Sequence, residues 1–202
     1  MSGAWARRAW EQKDLVGRLF WILVVPLSLF YFLAVQIRNL LYAREWLPVK
    51  SLPSAVISIG NLTVGGTGKT PTTLWLGREL AQRGYRVAIL SRGYKRNEQE
   101  PKVLEPSSDA RLSLGVGDDV SEAGDEPLMM AKVFGQRVGV GKNRYEVGTQ
   151  LLRQTQVDVF LLDDGFQHRK LKRDLDLLLL GSNGQGWVLP AGPFRDSYSL
   201  RV

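Results

Sequence analysis

The pattern of hydrophobic and polar positions divides the chain into two regions. Near the N-terminus, the 19 residues of Leu19–Ile37 include no charged side chain. From Ala55 onward, short β-branched apolar runs alternate with segments whose apolar residues recur at helical spacing. This alternation predicts an α/β fold, with a mostly parallel sheet that carries helices on both faces.

The second region predicts the following elements in order. The predicted strands are Ala55–Ile59, Arg86–Leu90, Arg137–Val140, Val157–Leu162 and Leu175–Leu180. The predicted helices are Thr70–Arg83, Pro127–Phe134 and Arg144–Gln154. Residues Lys95–Val120 are rich in Pro, Ser, Asp and Gly, and they predict an irregular insertion with a small hairpin around Val103 and Leu112–Leu114.

The apolar run Leu19–Ile37 predicts a membrane-attached helix. At 1.5 Å per residue it would reach about 28 Å, just under the ~30 Å hydrocarbon core of a bilayer, so it can span the membrane or lie in the interface. A cleavable signal peptide fits less well, because no small-x-small site follows the run and basic residues come soon after it: Arg38, Arg44 and Lys50. A buried core helix is the other alternative, since it would tolerate the interruptions Pro26, Ser28 and Gln36.

Charge supports the membrane interpretation. The formal net charge is +7, and residues 1–50 hold seven Lys or Arg against three Asp or Glu. These charges flank the apolar run and do not form a basic stripe interleaved with aromatics, so we expect an anionic membrane surface and no nucleic acid. The chain has no cysteine, which excludes disulfides and thiolate metal sites. We expect a membrane-attachment region over residues 1–45 and one core domain over residues 46–202.

The stretch SIGNLTVGGTGKTPTT, residues 58–73, resembles a phosphate-binding loop between a strand and a helix. Its glycines allow backbone N–H groups to face a phosphate, Lys69 supplies a cation, and Thr70 offers a hydroxyl to Mg²⁺. Thr63 stands where the usual pattern begins with glycine, so a glycine-rich turn without a ligand remains the alternative. The expected nucleotide-binding residues are Thr63, Val64, Gly65, Gly66, Thr67, Gly68, Lys69 and Thr70.

A second motif, VFLLDDGFQH, ends a predicted strand in Asp163 and Asp164. A carboxylate there would face a Mg²⁺ ion held by Thr70, as in nucleotide hydrolases and kinases. Because successive strand residues point to opposite faces, only one of the two aspartates is expected to lie directly over the metal. The alternative is a solvated Asp-Asp-Gly turn. With the loop, this motif favours a P-loop NTPase-like fold.

Three other polar features are open to more than one interpretation. GVGKN, residues 139–143, resembles a phosphate loop, but Asn143 lacks the hydroxyl and is better interpreted as a helix N-cap. In GDEP, residues 124–127, the acidic pair suits the N-terminal turn of a helix, and its spacing alone favours capping over catalysis. His168 would either bind a phosphate or lie in a solvated loop.

In their order along the chain, the motifs GNLTVGGTGKTP, SRGY, GDEP, LLDDGFQH and LPAGPFRD resemble those of the tetraacyldisaccharide 4'-kinases, the lipid A 4'-kinases of Gram-negative bacteria. The resemblance covers nearly the whole chain. It implies transfer of the γ-phosphate of ATP, with Mg²⁺, to the 4'-hydroxyl of an acylated glucosamine disaccharide 1-phosphate, which gives lipid IVA. It also implies a location on the cytoplasmic face of the inner membrane, in contact with membrane lipids and without an obligate protein partner.

The resemblance also implies roles for individual residues. Lys69 becomes the phosphate clamp, Thr70 with Asp163 and Asp164 the Mg²⁺ environment, and Asp125 the base that takes the hydroxyl proton. Asp164 is also expected to take part in catalysis. The residues expected to contact nucleotide, sugar or 1-phosphate are Asn61, Arg92, Tyr94, His168 and Arg195.

Members of the resembled family usually continue for a further hundred or more residues, which include a histidine partner of the catalytic aspartate. We therefore expect the chain to bind Mg·ATP, with an acceptor site that is incomplete. Two other functions remain open: a membrane-tethered nucleotide switch that hydrolyses ATP or GTP without lipid, and a nucleotide-binding remnant without catalysis.

Overall fold

A computed structural model of the protein describes residues 15–64, 67–93, 100–105, 124–180 and 187–196. The chain forms two compact units. One consists of Met1–Pro48, Leu62–Thr67 and Leu180–Val202, and the other of Val49–Asn61 and Gly68–Leu179. Gly65, Gly66, Tyr94 and the Leu112–Leu114 part of the predicted hairpin lie outside the described residues.

The described helices and strands follow the predicted order. The helices are α1 Leu15–Ala43, α2 Lys69–Gln82, α3 Asp125–Phe134 and α4 Arg144–Gln154. The strands are β1 Ala55–Asn61, β2 Val87–Ser91, β3 Lys102–Leu104, β4 Val138–Val140, β5 Val159–Asp163 and β6 Leu175–Leu179. All six strands and helices α2 to α4 belong to the second unit.

The six strands form one sheet in the order β3-β4-β2-β5-β1-β6. The pairs of β1 with β5 and β6, and of β2 with β4 and β5, are parallel, whereas β3 pairs antiparallel with β4 at one edge. The predicted mostly parallel sheet is therefore confirmed. Val103, part of the expected hairpin, pairs with Gly139 of β4.

Helices cover both faces of this sheet, as predicted. On one face, Leu74 of α2 and Phe134 of α3 pack in a cluster with Ile89 and Leu161. On the other face, Val147 and Leu151 of α4 pack in a cluster with the neighbouring strand residues, Leu90 and Leu162. Because side chains alternate along a strand, the buried strands β1, β2 and β5 supply both clusters, which explains their continuous apolar sequences.

Strand register brings the ends of the strands that carry the motifs to one edge of the sheet. Ile59 of β1 lies opposite Asp163 of β5, and Ser91 of β2 lies opposite Val140 of β4. The residues that follow these positions therefore emerge at the carboxyl edge, where ligands bind in open parallel sheets. Helix α3 begins at Asp125, two residues before the predicted start at Pro127, because proline fits within the first turn of a helix. The predicted bounds of the other elements of the sheet unit differ from the observed ones by at most two residues, and those of α4 match at both ends.

In the first unit, α1 exposes apolar side chains and buries polar ones. Ser28 and Asn39 are at most 1% exposed. The large apolar residues on the open faces are 49% to 77% exposed: Ile22, Leu23, Leu27, Leu29, Phe30, Leu33, Ile37 and Leu40. Over Ile22–Ala43 the helix is long and apolar enough to cross a membrane, a test that a core helix or a signal sequence also passes.

Candidate functional site

The DDGFQH loop folds back over the end of β1 in the second unit. Gly165 N donates to Ile59 O at 3.0 Å, and Gln167 Nε2 donates to Asn61 O at 3.0 Å. Phe166 packs directly on the strand, because a Cβ at Gly60 would lie only 2.4 Å from the Phe166 Cβ. Glycine at position 60 thus allows the loop to pack against β1, which places Asn61 near Asp163 and Asp164.

Lys69 lies between Asn61 and the acidic pair. Its Nζ donates to Asn61 Oδ1 at 3.2 Å and lies 3.6 Å from Asp164 Oδ1. The preceding Gly68 has φ 78°, a left-handed conformation that favours glycine and sets the start of α2. The structure therefore brings together three residues that were selected from two separate motifs.

Asp163 occupies the buried end of β5 at 5% exposure. Thr73 Oγ1, one turn into α2 from Lys69, donates to Asp163 Oδ1 at 3.1 Å. Burial, and secondly the negative charge of Glu126, raise the pKa of Asp163 to about 6. The site thus places negative charge where little water reaches it, a setting that favours a bound cation.

Glu126, rather than Asp125, makes a direct contact with the loop threonine. Thr70 Oγ1 donates to Glu126 Oε1 at 2.5 Å, whereas Asp125 is exposed in the same first turn of α3. Within the described residues, no cluster of three or more His, Asp or Glu side chains has the arrangement of a metal site. Glu126 nevertheless connects these groups, because it accepts the hydrogen bond of Thr70 and its charge acts on Asp163.

Arg144 and His168 add buried nitrogen atoms at the same carboxyl edge. Arg144 begins α4 just after β4, is 3% exposed, and its Nε has no hydrogen-bond partner among the described residues. Burial, and secondly the charge of Arg92, lower the pKa of Arg144 to about 10. Burial, and secondly Arg144, lower the pKa of His168 to about 4, so the imidazole is neutral at neutral pH. His168 Nε2 is likewise without a described partner.

The first residues of the phosphate loop belong to the other unit and pair with the segment 187–196. Thr63 forms an antiparallel bridge with Phe194, and Val64 N donates to Pro193 O at 2.8 Å. The predicted substrate residue Arg195 contributes its backbone here, because its N donates to Leu62 O at 2.7 Å. This unit therefore links the LPAGPFRD motif to the loop motif through backbone hydrogen bonds.

Sequence reasoning missed Glu126, Thr73 and Arg144. Glu126 was recognised as one member of an acidic pair, but its spacing did not indicate that Glu126, and not Asp125, would contact Thr70. Thr73 lies four residues after Lys69, the separation that places two side chains on one helix face. Arg144 directly follows the GVGKN motif that we had set aside, and its position after a strand at the carboxyl edge was the available signal.

Comparison with known proteins gives consistent matches. The family model described as LpxK, Tetraacyldisaccharide-1-P 4'-kinase, matches residues 20–202. The chain is 44% identical over 193 residues to a tetraacyldisaccharide 4'-kinase of Pelobacter propionicus, covering 93% of this chain and 52% of that protein. It is 44% identical over 202 residues to the Geobacter sulfurreducens protein of that name, covering 96% and 55%.

A solved structure is similar as well. A crystal structure of an "apo" form LpxK from Aquifex aeolicus in complex with ATP matches with a TM-score of 0.78 and 40% identity. The match covers 88% of this chain and 55% of that one. The chain thus spans about half the length of the relatives that it matches.

Proposed function

Because the chain belongs to the tetraacyldisaccharide-1-P 4'-kinase family, we propose that it serves in ATP-dependent phosphorylation of a tetraacylated glucosamine disaccharide 1-phosphate. The acceptor is the 4'-hydroxyl of the disaccharide, and the product is lipid IVA of the lipid A pathway. One observation carries the proposal: Lys69 Nζ lies 3.2 Å from Asn61 Oδ1 and 3.6 Å from Asp164 Oδ1, where β1 and β5 end side by side.

ATP would bind through the loop Thr63–Thr70, with Lys69 as the cation for its outer phosphates. The relative solved in complex with ATP supports this assignment. So does the position of Lys69, which begins α2, because the N-terminus of a helix favours a bound anion. Because Asn61 and Asp164 already hold the ammonium group of Lys69, this group would need little reorganisation to contact a phosphate. It would thus help to orient ATP and to stabilise the charge that develops during transfer.

The described residues fit a Mg²⁺ ion. Hydroxyl and carboxylate oxygens are its preferred protein ligands, and one or two carboxylates suffice when phosphates and waters complete the shell. Thr70, Asp163 and Asp164 would hold it. Burial, and secondly the charge of Glu126, raise the pKa of Asp163, and a bound cation would offset both effects. When bound, the ion would neutralise charge on the phosphates of the nucleotide.

The transfer step needs a proton acceptor, and we assign this role to Asp125. Its exposed position in the first turn of α3, next to the Glu126 that contacts Thr70, leaves its carboxylate accessible to an acceptor hydroxyl. Asp125 would take the hydroxyl proton as the oxygen–phosphorus bond forms and the bond from the γ-phosphorus to the β-γ bridging oxygen breaks, releasing ADP. Positioning of the two substrates would supply most of the rate enhancement.

Basic and polar residues at the same edge would bind the anionic acceptor. Arg92 and His168 follow β2 and β5, and the buried guanidinium of Arg144 lies in the same electrostatic environment. Asn61, Tyr94 and Arg195 complete the set proposed from the sequence. Their shared chemistry suits a phosphate or sugar hydroxyl.

We assign residues 1–45 to membrane attachment and residues 46–202 to the kinase core. Exposed apolar side chains on α1 are costly in water and favourable in lipid, and the basic N-terminal segment suits anionic lipid. A lipid acceptor is itself held in the membrane, so attachment would bring enzyme and acceptor together. The site would lie at the cytoplasmic face of the inner membrane, where ATP is present.

The test is a phosphoryl-transfer assay with the protein as the cell produces it. Labelled ATP, Mg²⁺ and the acylated disaccharide 1-phosphate in mixed micelles should yield labelled lipid, and Asp125→Asn should lower the rate of labelling by about 100-fold or more. Nucleotide hydrolysis without lipid, and no labelled lipid, would favour a nucleotide switch. Nucleotide binding with neither reaction would indicate a non-catalytic protein.

A further inference from the structure

Helix α1 is joined to the segment 187–196 by polar contacts that follow one helix face. Ser28 Oγ donates to Val188 O at 2.6 Å, and Tyr31 Oη donates to Arg195 O at 3.0 Å. Two turns later, Asn39 Nδ2 donates to Asp196 Oδ1 at 2.9 Å, and Arg38 Nη2 lies 3.4 Å from Asp196 Oδ2. The separations of three, seven and eleven residues, from Ser28 to Tyr31, Tyr31 to Arg38 and Ser28 to Asn39, place these groups on the face opposite the exposed apolar side chains.

Asp196 is the central member of this contact. It is 0% exposed, and a buried carboxylate is tolerated only when ion pairs and hydrogen bonds replace its hydration. Asn39, at 1% exposure, is also committed to the contact. A helix that served only as an apolar anchor would not require a buried asparagine on its inner face, paired with the buried Asp196 of another segment.

The same segment holds the first residues of the phosphate loop. Arg195 N donates to Leu62 O at 2.7 Å, Val64 N donates to Pro193 O at 2.8 Å, and Thr63 pairs with Phe194. A continuous chain of hydrogen bonds within one unit therefore runs from α1, through residues 188–196, to residues 62–64. Arg195 takes part in both contacts, with its carbonyl toward Tyr31 and its N–H toward Leu62.

We infer that α1 is part of the scaffold of the phosphate loop, and that Asp196 is a positioning residue which couples the membrane helix to nucleotide binding. The inference rests on the proposed nucleotide-binding role of the loop. Asp196 touches no substrate; it fixes residues 188–196 on α1, and these fix the backbone of Leu62–Val64. Loosening the contact would let the beginning of the loop sample other conformations, and ordering it again would cost affinity.

The experiment measures ATP affinity and membrane attachment of the same variants. Asp196→Asn keeps the shape of the side chain but removes the charge that pairs with Arg38. We expect about tenfold weaker binding of Mg·ATP, or about 1.4 kcal/mol, with unchanged flotation on anionic vesicles. Tyr31→Phe removes only the hydroxyl that reaches Arg195 O, and we expect about threefold weaker binding. Tyr85→Phe changes an exposed tyrosine and serves as its matched control.

Binding is compared at a temperature where thermal unfolding and circular dichroism show every variant to be folded. The KM for ATP should rise in Asp196→Asn while the KM for the lipid acceptor stays the same, which a loss of stability alone would not produce. The inference is overturned if folded Asp196→Asn and Tyr31→Phe bind ATP like the unchanged protein. If the unchanged protein binds no ATP, the proposed function fails instead.

Discussion

Two neighbouring acidic residues, Asp163 and Asp164, differ in their properties because their environments differ. Asp163 is buried, bonded to Thr73, and has its pKa raised to about 6, whereas its neighbour Asp164 is half-exposed and pairs with Lys69. Asp164 adopts φ 49°, an uncommon left-handed conformation for a residue other than glycine, which turns the chain after β5. The two carboxylates are therefore suited to different tasks, one toward a cation and one toward the lysine.

Replacing Asp125 and Glu126 one at a time should change two different kinetic quantities. Asp125→Asn should lower kcat by about 100-fold or more, because a general base contributes roughly that much, with KM values unchanged. Glu126→Gln removes a charge beside Thr70 and Asp163, and should mainly change the Mg²⁺ concentration needed for half-maximal activity. Steady-state kinetics of both variants across a Mg²⁺ series checks this. Equal losses of kcat in both would argue against Asp125 as the base.

Arg144 should bind an anion. Arg144→Gln should weaken binding of ATP or of the anionic acceptor by about 10-fold to 100-fold, the range for a lost hydrogen bond to a charged group. Arg153→Gln, at an exposed position near the end of the same helix, is the control and should change neither affinity. Titrations with each substrate separately identify which one Arg144 contacts. If Arg144→Gln binds both substrates normally, the guanidinium has a purely structural role.

The sequence predicted the residues whose chemistry defines a motif, and it missed those placed by the fold. Lys69, Asp163 and Asp164 could be predicted because each belongs to a motif of consecutive residues. Glu126 and Arg144 become visible only once the fold places α3 against α2 and β4, and α4 against β2, β3 and β4. Burial decides their properties, and a single sequence does not report burial.

At the scale of elements, strands and helices could be predicted because each carries its own periodicity. Helix α4 was predicted with correct ends, Arg144 and Gln154. Helix α1 extends beyond the predicted apolar run at both ends. At its C-terminal end, polar residues continue the helix, and Arg38 and Asn39 among them contact Asp196. The antiparallel pairing of β3 with β4 could not be predicted, since it depends on a distant partner.

The starts of β2 and β5 are held by a surface ion pair whose effect depends on pH. Arg86 donates to Asp158 through its Nε at 2.9 Å and its backbone N at 2.8 Å. These bonds lower the pKa of Asp158 to about 2, from about 3.9 in an unfolded chain. A lowered folded-state pKa means that the stabilisation is present above about pH 4 and is lost as the pH falls toward about 2.

Replacing the aspartate should reveal this dependence. Asp158→Asn should have a lower urea midpoint than the unchanged protein at neutral pH, and the difference should shrink between about pH 4 and about pH 2. Both side chains are partly exposed, so added salt should reduce the difference as well. A difference in midpoint that is the same at every pH would show that the charge of Asp158 does not contribute.

The outer face of α1 should control membrane attachment. Leu23 and Phe30 are 77% and 70% exposed, and burying each in lipid is favourable by about 1.5–3 kcal/mol. The double replacement Leu23→Gln and Phe30→Gln should therefore weaken binding to anionic vesicles by about 100-fold or more. Trp75→Gln, at a 61% exposed position on α2, is the matched control. Unchanged flotation of the double variant would contradict a lipid-facing α1.

At the scale of the whole molecule, the phosphate-loop sequence is divided between the two compact units. Residues 62–67 belong to the unit built on α1 and the segment 187–196, whereas Gly68 onward belongs to the sheet unit. Within the sheet unit, Lys69 contacts Asn61 and Asp164. Within the α1 unit, backbone hydrogen bonds hold Leu62–Val64. Sequence patterning predicted a separate N-terminal region but gave no sign that the LPAGPFRD segment packs with it, because that contact joins residues more than 150 positions apart.

Phosphate binding by Lys69 and the loop is tested most directly by the affinity of the protein for ATP, ADP and AMP, measured by calorimetry with Mg²⁺ present. We predict that the unchanged protein binds ATP and ADP more tightly than AMP, because Lys69 and the loop contact the outer phosphates. Lys69→Ala should weaken ATP binding by about 10-fold to 100-fold and leave AMP binding unchanged, whereas the exposed control Lys132→Ala should alter neither. If Lys69→Ala retains the full preference for ATP over AMP, the phosphates bind elsewhere and the central claim is wrong.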